Sequence, residues 1–285
     1  MTAAAHRCLA ANKRERAEHD VDTCRVNNNR AAVPEHPRFL ENWARRSASW
    51  RERHPPLTLF YADSERAWVD VFPAADGAPL HVFLHGGYWQ ALDARQFSFM
   101  AEAFNACGEC AVIVNYDLCP DTPLAAIVDQ LRQAWRWIVR EAAGFGADAR
   151  QVQVTGHSAG AHLLACLLTD GGAPTLCRAN ALSGIYDLRP LLPTQINDAL
   201  GLDAASARAL SPLLMSPDCP DTRLDLWVGS LESAAYHAQS RDLAEAWKDK
   251  VNIQSGVFDG VHHFSILDAF IEQAYRPLPP RSSGA

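Results

Sequence analysis

Apolar and polar positions divide the chain into short β-runs that alternate with stretches of helical period. Residues 57–61 (Leu-Thr-Leu-Phe-Tyr) and 67–72 (Ala-Trp-Val-Asp-Val-Phe) are β-rich and are separated by the turn-forming Asp63-Ser-Glu-Arg66. This predicts an antiparallel hairpin. Residues 79–84 and 111–115 are nearly continuous apolar runs, as expected of strands covered on both faces. Helical spacing recurs at Phe39, Trp43 and Trp50 within 37–53, over 94–105, and at Ile127, Leu131, Trp135 and Ile138 within 124–142. Further strands are predicted at 151–155, 178–182, 223–228 and 251–254, and further helices at 161–168, 233–248 and 264–275. Strands alternating with helices imply a mostly parallel sheet with right-handed crossovers and helices on both faces.

No repeat or linker splits the chain, so residues 26–276 read as a single α/β domain. Residues 1–25 and 277–285 read as flexible tails. The Pro-, Leu- and Asp-rich stretch 183–221 reads as a cap-like insertion with short helices, such as 204–210, and is expected to close over the active site.

Composition narrows the class. Apolar residues are 48% of 285, enough for a sizeable core. The net charge is −7 and no Lys/Arg-rich stretch lines up, which argues against nucleic acid or an anionic membrane as partner. The first twenty residues carry Arg7, Lys13, Arg14, Glu15 and Arg16 and no apolar core of a signal, and no apolar run is long enough to span a bilayer. The expectation is a soluble cytoplasmic protein acting on a small molecule, with a homodimer compatible with the sequence. The eight cysteines then read as reduced thiols. Cys107-Gly-Glu-Cys110 has redox spacing but falls between a helix end and a buried strand. No second Cys/His pair stands at ligand spacing, so neither a metal nor a cofactor is expected. His36 and His54 flank prolines and read as solvated.

The chemistry centres on Gly156-His-Ser-Ala-Gly160, between the strand 151–155 and the helix 161–168. Strand, Gly-x-Ser-x-Gly, helix is a nucleophile elbow: a turn too sharp for a Cβ at either glycine, with Ser158 presented at a helix N-terminus. A serine hydroxyl needs a base, and the base needs an orienting acid. In elbow-type sheets the order is Ser, Asp/Glu, His. The loop after the last strand holds His262 and His263. His263, directly before the apolar helix start Phe264, is preferred, although periodicity alone leaves both open. The first carboxylate past strand 223–228 is Glu232, with Asp259 as rival; Asp221 and Asp225 lie at the wrong end of that strand. A helix N-terminal Glu is also favoured by the dipole alone. Gly86 and Gly87 follow the strand ending at Leu84, so their N–H groups and that of Ala159 are the oxyanion-hole candidates. His85 reads as structural. Tyr88 and Trp89 come next, and form either an aromatic substrate wall or packing beneath the elbow.

Together, His85-Gly-Gly-Tyr-Trp-Gln90, Asn115-Tyr-Asp-Leu-Cys-Pro120, Gly156-His-Ser-Ala-Gly-Ala-His-Leu163 and His263-Phe264 resemble the arylformamidase (kynurenine formamidase) group of α/β-hydrolases. Asn28-Asn-Arg-Ala-Ala-Val-Pro34 is similar to the N-terminal region of bacterial members. The resemblance runs from about Asn28 to about Tyr275. It implies an α/β-hydrolase fold, Ser158 as nucleophile and His263 as base, since His263 stands at the His of the family's Asp-His-Phe motif. Here His262 replaces that Asp. Gly229-Ser-Leu-Glu-Ser233 matches the family's acid segment with Glu232 in place of Asp. The implied reaction is hydrolysis of N-formyl-kynurenine to kynurenine and formate. A carboxylesterase on small aryl or alkyl esters would use the same residues, and a non-catalytic binding protein on this fold is the alternative from another class.

Overall fold

A computed structural model of the chain describes residues 29–169 and 176–275. The predicted tails 1–25 and 277–285 lie outside the described residues. The elements, in order, are α1 (Asn29–Ala32), α2 (His36–Arg53), β1 (Leu57–Phe60), β2 (Trp68–Phe72), β3 (Ala78–Leu84), α3 (Ser98–Ala106), β4 (Cys110–Val114), α4 (Leu124–Glu141), β5 (Ala147–His157), α5 (Ala159–Leu168), β6 (Arg178–Leu182), α6 (Asn197–Leu200), α7 (Ala204–Ala209), β7 (Arg223–Gly229), α8 (Ala234–Trp247), β8 (Asn252–Phe258) and α9 (Ile266–Ala274). The strands form one sheet of order β1-β2-β4-β3-β5-β6-β7-β8. The β1–β2 and β2–β4 pairs are antiparallel, and all later pairs are parallel.

The continuous apolar runs are explained by strand alternation. Leu80, Val82 and Leu84 of β3, with Val112 and Val114 of β4, face a core shared with α4, α5 and α8. Phe83 and Ile113 face the opposite core, shared with α2, α3 and α9. Both faces are covered, so the runs are apolar on both sides; the exception, His81 of β3, is fully buried and bonded at 2.8 Å to both Glu109 Oε2 and Thr155 Oγ1. The predicted helix 94–105 begins as a 3-10 turn (Ala94–Phe97). Asp93 caps it, its carboxylate accepting from Arg95 N at 3.0 Å while its own N–H donates to Gln96 Oε1 at 3.1 Å.

Register places the functional loops together. Leu84 of β3 pairs with Gly156 of β5, and His157 pairs with Leu182 of β6. The loop after β3, the elbow after β5 and the start of the loop after β6 therefore leave the sheet side by side, at its carboxyl edge. The loops after β7 and β8 are tied to each other. Ser230 N donates to Phe258 O at 2.9 Å and Leu231 N to Val261 O at 2.9 Å. Among the described residues, no helix is long and apolar enough to cross a membrane, and no group of His, Cys, Asp and Glu is placed to hold a metal ion. Cys107 and Cys110 are free thiols, and burial pushes the Cys110 thiol up to about 11.

Candidate active site

Ser158 has a left-handed backbone, φ +55°, ψ −116°. Such a conformation costs about 1–3 kcal/mol at a non-glycine residue and needs support on both sides. Here Ser158 N donates to Leu182 O at 2.8 Å, and Ser158 O accepts from Ala161 N at 3.0 Å. The two glycines are required by space. A Cβ on Gly156 would sit 2.4 Å from Gly160 O, and one on Gly160 would sit 2.1 Å from Leu84 O. The result is a buried serine at the N-terminus of α5, where unpaired N–H groups favour negative charge.

Glu232 and His263 meet although they lie 31 residues apart. His263 Nδ1 donates to Glu232 Oε2 at 2.8 Å, which leaves Nε2 with a lone pair in the neutral ring. The other carboxylate oxygen accepts from Ser183 Oγ at 2.5 Å and Gly229 N at 2.8 Å. Burial alone would raise the Glu232 carboxyl. The bonds from His263, Ser183 and the Gly229 N–H outweigh burial and hold it below its ordinary range. The rival Asp259 instead accepts from Ser230 Oγ at 3.3 Å. Asp225 is buried in β7 between Arg178 and Arg223. His262 accepts the N–H groups of Phe264 and Ser265 on its Nδ1, each at 3.2 Å, and so shapes the entry to α9.

Two neighbours of this pair carry no motif. Ser183 has φ +51°, which turns its hydroxyl onto Glu232 at the end of β6. His157 Nε2 donates to the backbone oxygen of His263 at 3.0 Å. Burial drives the His157 ring well below its ordinary pKa, so it stays neutral beside the His263 ring, 4.9 Å away between centroids.

The glycine loop is braced from beneath. His85 is sandwiched between Tyr116 and Phe97, with centroids 4.2 and 5.5 Å away. Its Nδ1 donates to Gly86 O at 2.7 Å, and Tyr116 Oη donates to His85 O at 2.7 Å. Burial lowers the His85 pKa to about 4, so the ring is neutral and structural. Among the described residues, the N–H groups of Gly86, Gly87 and Ala159 have no backbone acceptor, which leaves them free to hold an oxyanion.

Gly86, Gly87, Tyr88, Ser158 and His263 line one narrow, partly open cavity. Tyr88 Oη is 3.1 Å from Tyr236 Oη, and Asn29 Nδ2 donates to that same Tyr236 oxygen at 2.6 Å. Trp89 corrects the expectation of an aromatic wall. It is fully buried, packs edge-on against His162 at 4.8 Å in the core under α5, and does not line the cavity. Tyr88 and Trp89 both have left-handed φ, +52° and +58°, and the turn sends one ring to the cavity and the other inward. The cavity's outer wall also differs from expectation. Asn29 and Arg30 of α1 and Leu40 and Trp43 of α2 form it, and residues 183–221 contribute none of the lining. That stretch packs instead against α5 and α8. Leu210 O accepts from His162 Nε2 at 2.8 Å, and Gln239 Oε1 accepts from Tyr186 N and Asp187 N, each at 2.8 Å.

Comparison with known proteins agrees with this geometry. Residues 81–209 match a family model of the α/β hydrolase fold. The chain is 30% identical over 220 residues to a kynurenine formamidase of Drosophila melanogaster, covering 71% of this chain and 73% of that one. It is 35% identical over 198 residues to the carboxylesterase NlhH of Mycobacterium tuberculosis, covering 68% of this chain and 58% of that one. A crystal structure from Silicibacter sp. superposes with a TM-score of 0.76 at 29% identity, covering 86% of this chain and 93% of that one. With its elbow serine, paired His and Glu and glycine loop, the chain belongs to the kynurenine formamidase-like group of the α/β-hydrolases.

Proposed function

We propose that this hydrolase cleaves the formyl amide of an arylamine, converting N-formyl-kynurenine to kynurenine and formate, with Ser158 as nucleophile and no cofactor. The observation that carries the reading is the His263–Glu232 bond, at 2.8 Å, on the wall of the cavity that also holds Ser158 and the glycine loop. His263 Nε2 takes the Ser158 proton as Oγ attacks the formyl carbon. The N–H groups of Gly86, Gly87 and Ala159 hold the oxyanion of the tetrahedral intermediate. His263 then gives the proton to the departing nitrogen and the C–N bond breaks. A water deprotonated by His263 attacks the formyl-serine ester and releases formate. Glu232 stays ionised throughout and stabilises the imidazolium. The similarity to kynurenine formamidases supports the formyl substrate.

The similarity to a carboxylesterase favours the second reading, small esters hydrolysed by the same residues. A cytoplasmic setting suits a chain whose described cysteines are free thiols. A substrate panel separates the two readings. A formamidase releases formate from N-formyl-kynurenine with a kcat/KM at least about tenfold above that for nitrophenyl acetate or butyrate. A panel won by the esters rejects the formyl substrate while leaving the serine chemistry in place.

A further inference from the structure

Arg30 is exposed and lines the cavity beside Asn29 and Tyr88. The other charge-capable side chains on that lining are His157, which burial keeps neutral, and His263, which is engaged with Glu232. Among the described residues Arg30 forms no ion pair or hydrogen bond, although its charge reaches the Tyr88 hydroxyl. Its place is fixed by its neighbour. Asn29 is buried, donates from Nδ2 to Tyr236 Oη at 2.6 Å, and accepts Val33 N on its backbone oxygen at 3.0 Å. Asn29 thus clamps α1 to α8, and Arg30 is held at the mouth of the site.

We infer that Arg30 is the specificity residue that receives a carboxylate on the leaving group of the substrate. The assignment rests on the formyl reading above in one respect. A formyl group carries only hydrogen beyond its carbonyl carbon, so any charge on the substrate belongs to the departing amine. The chain carries a net charge of −7, so long-range attraction does not draw an acid to the site. Recognition of an acid therefore needs a local cation, and a guanidinium offers paired donors that match both carboxylate oxygens. The substrate class is an N-formyl arylamine with a carboxylated side chain, as in an aryl-substituted amino acid.

The test is a ratio measured within each enzyme, so a partly misfolded variant does not disturb it. The ratio is kcat/KM for N-formyl-kynurenine over kcat/KM for its carboxamide, which keeps the amino group and lacks the carboxylate. Wild type prefers the acid. Arg30→Gln lowers the ratio by about tenfold to a hundredfold, mainly through KM. Arg30→Lys retains part of the preference, and Arg30→Glu lowers the ratio below that of Arg30→Gln. A wild type without preference for the acid, or an unchanged ratio in Arg30→Gln, overturns the assignment. The same ratio on an aryl acetate with a carboxylated side chain and on its carboxamide separates the two claims. Loss of formyl-amide hydrolysis in wild type, with an Arg30-dependent ratio kept on the esters, rejects the formyl reading and retains Arg30 as the acid-binding residue.

Discussion

Glu232 shows how a single residue acquires its role from its surroundings. It is a buried carboxylate with three donors, from His263, Ser183 and the Gly229 backbone. Replacing it by Gln keeps the shape and removes the charge that, in the proposed mechanism, stabilises the imidazolium and selects the Nδ1–H tautomer. Glu232→Gln is expected to lower kcat by about 10³–10⁴, with an unchanged circular dichroism spectrum; a loss under tenfold would contradict its place in the site. Ser183→Ala removes one donor while desolvation persists. The Glu232 carboxyl then rises toward its ordinary range, and kcat/KM falls by about tenfold. The drop deepens as the pH is lowered; an unchanged pH–rate profile would leave Ser183 a packing residue. Ser158, His263 and Glu232 were legible in the sequence because chain order and loop position constrain them. Ser183, His157 and Asn29 were not, since their roles depend on long-range hydrogen bonds that no local spacing encodes. The choice between His262 and His263 was open on periodicity, and the structure gives His262 backbone N–H groups to hold and His263 the carboxylate.

At the scale of elements, patterning predicted nearly every strand and long helix, because β3 and β4 are buried on both faces and α4 has a sharply apolar stripe. It underestimated β5 and β8, which run to 11 and 7 residues. β8 is an edge strand with several exposed positions, so ladder hydrogen bonds to β7 define its length more than apolar burial does. Trp89 and the 183–221 stretch were misjudged for a related reason. A left-handed pair at Tyr88 and Trp89, or a loop packed back on α5 and α8, is decided by tertiary contact. The elbow gives a direct test of element packing. Gly160→Ala drives a methyl into Leu84 O, so β3 or α5 must move. A destabilisation of at least about 2 kcal/mol is expected in denaturant titration. A midpoint equal to wild type would mean that the elbow is looser than described.

The whole molecule stores a set of buried neutral histidines. Burial lowers His85 and His162 from 6.5 to about 4, and takes His157 well below 6.5. Between these values and 6.5 the unfolded chain binds a proton at each site and the folded chain does not. Stability is therefore present above about pH 6.5 and lost as pH falls through this window. Within the window the slope is on the order of 1 kcal/mol per pH unit for each of His85 and His162, and His157 adds in the same direction. The guanidinium midpoint should fall markedly from pH 7 to pH 5, and an equal midpoint at both would show that these rings are solvated.

One serine, Ser158, is expected to carry the chemistry, made reactive by the distant loops that the sheet edge gathers around it. Peptide mapping after treatment with a fluorophosphonate tests this most directly, followed over time in wild type, Ser158→Ala and His263→Ala. The expected result is a single adduct on Ser158 of wild type that abolishes formate release, none in Ser158→Ala, and labelling slowed by about 10³-fold or more in His263→Ala. Formate release that continues with Ser158 fully labelled, or that survives in Ser158→Ala, would contradict it.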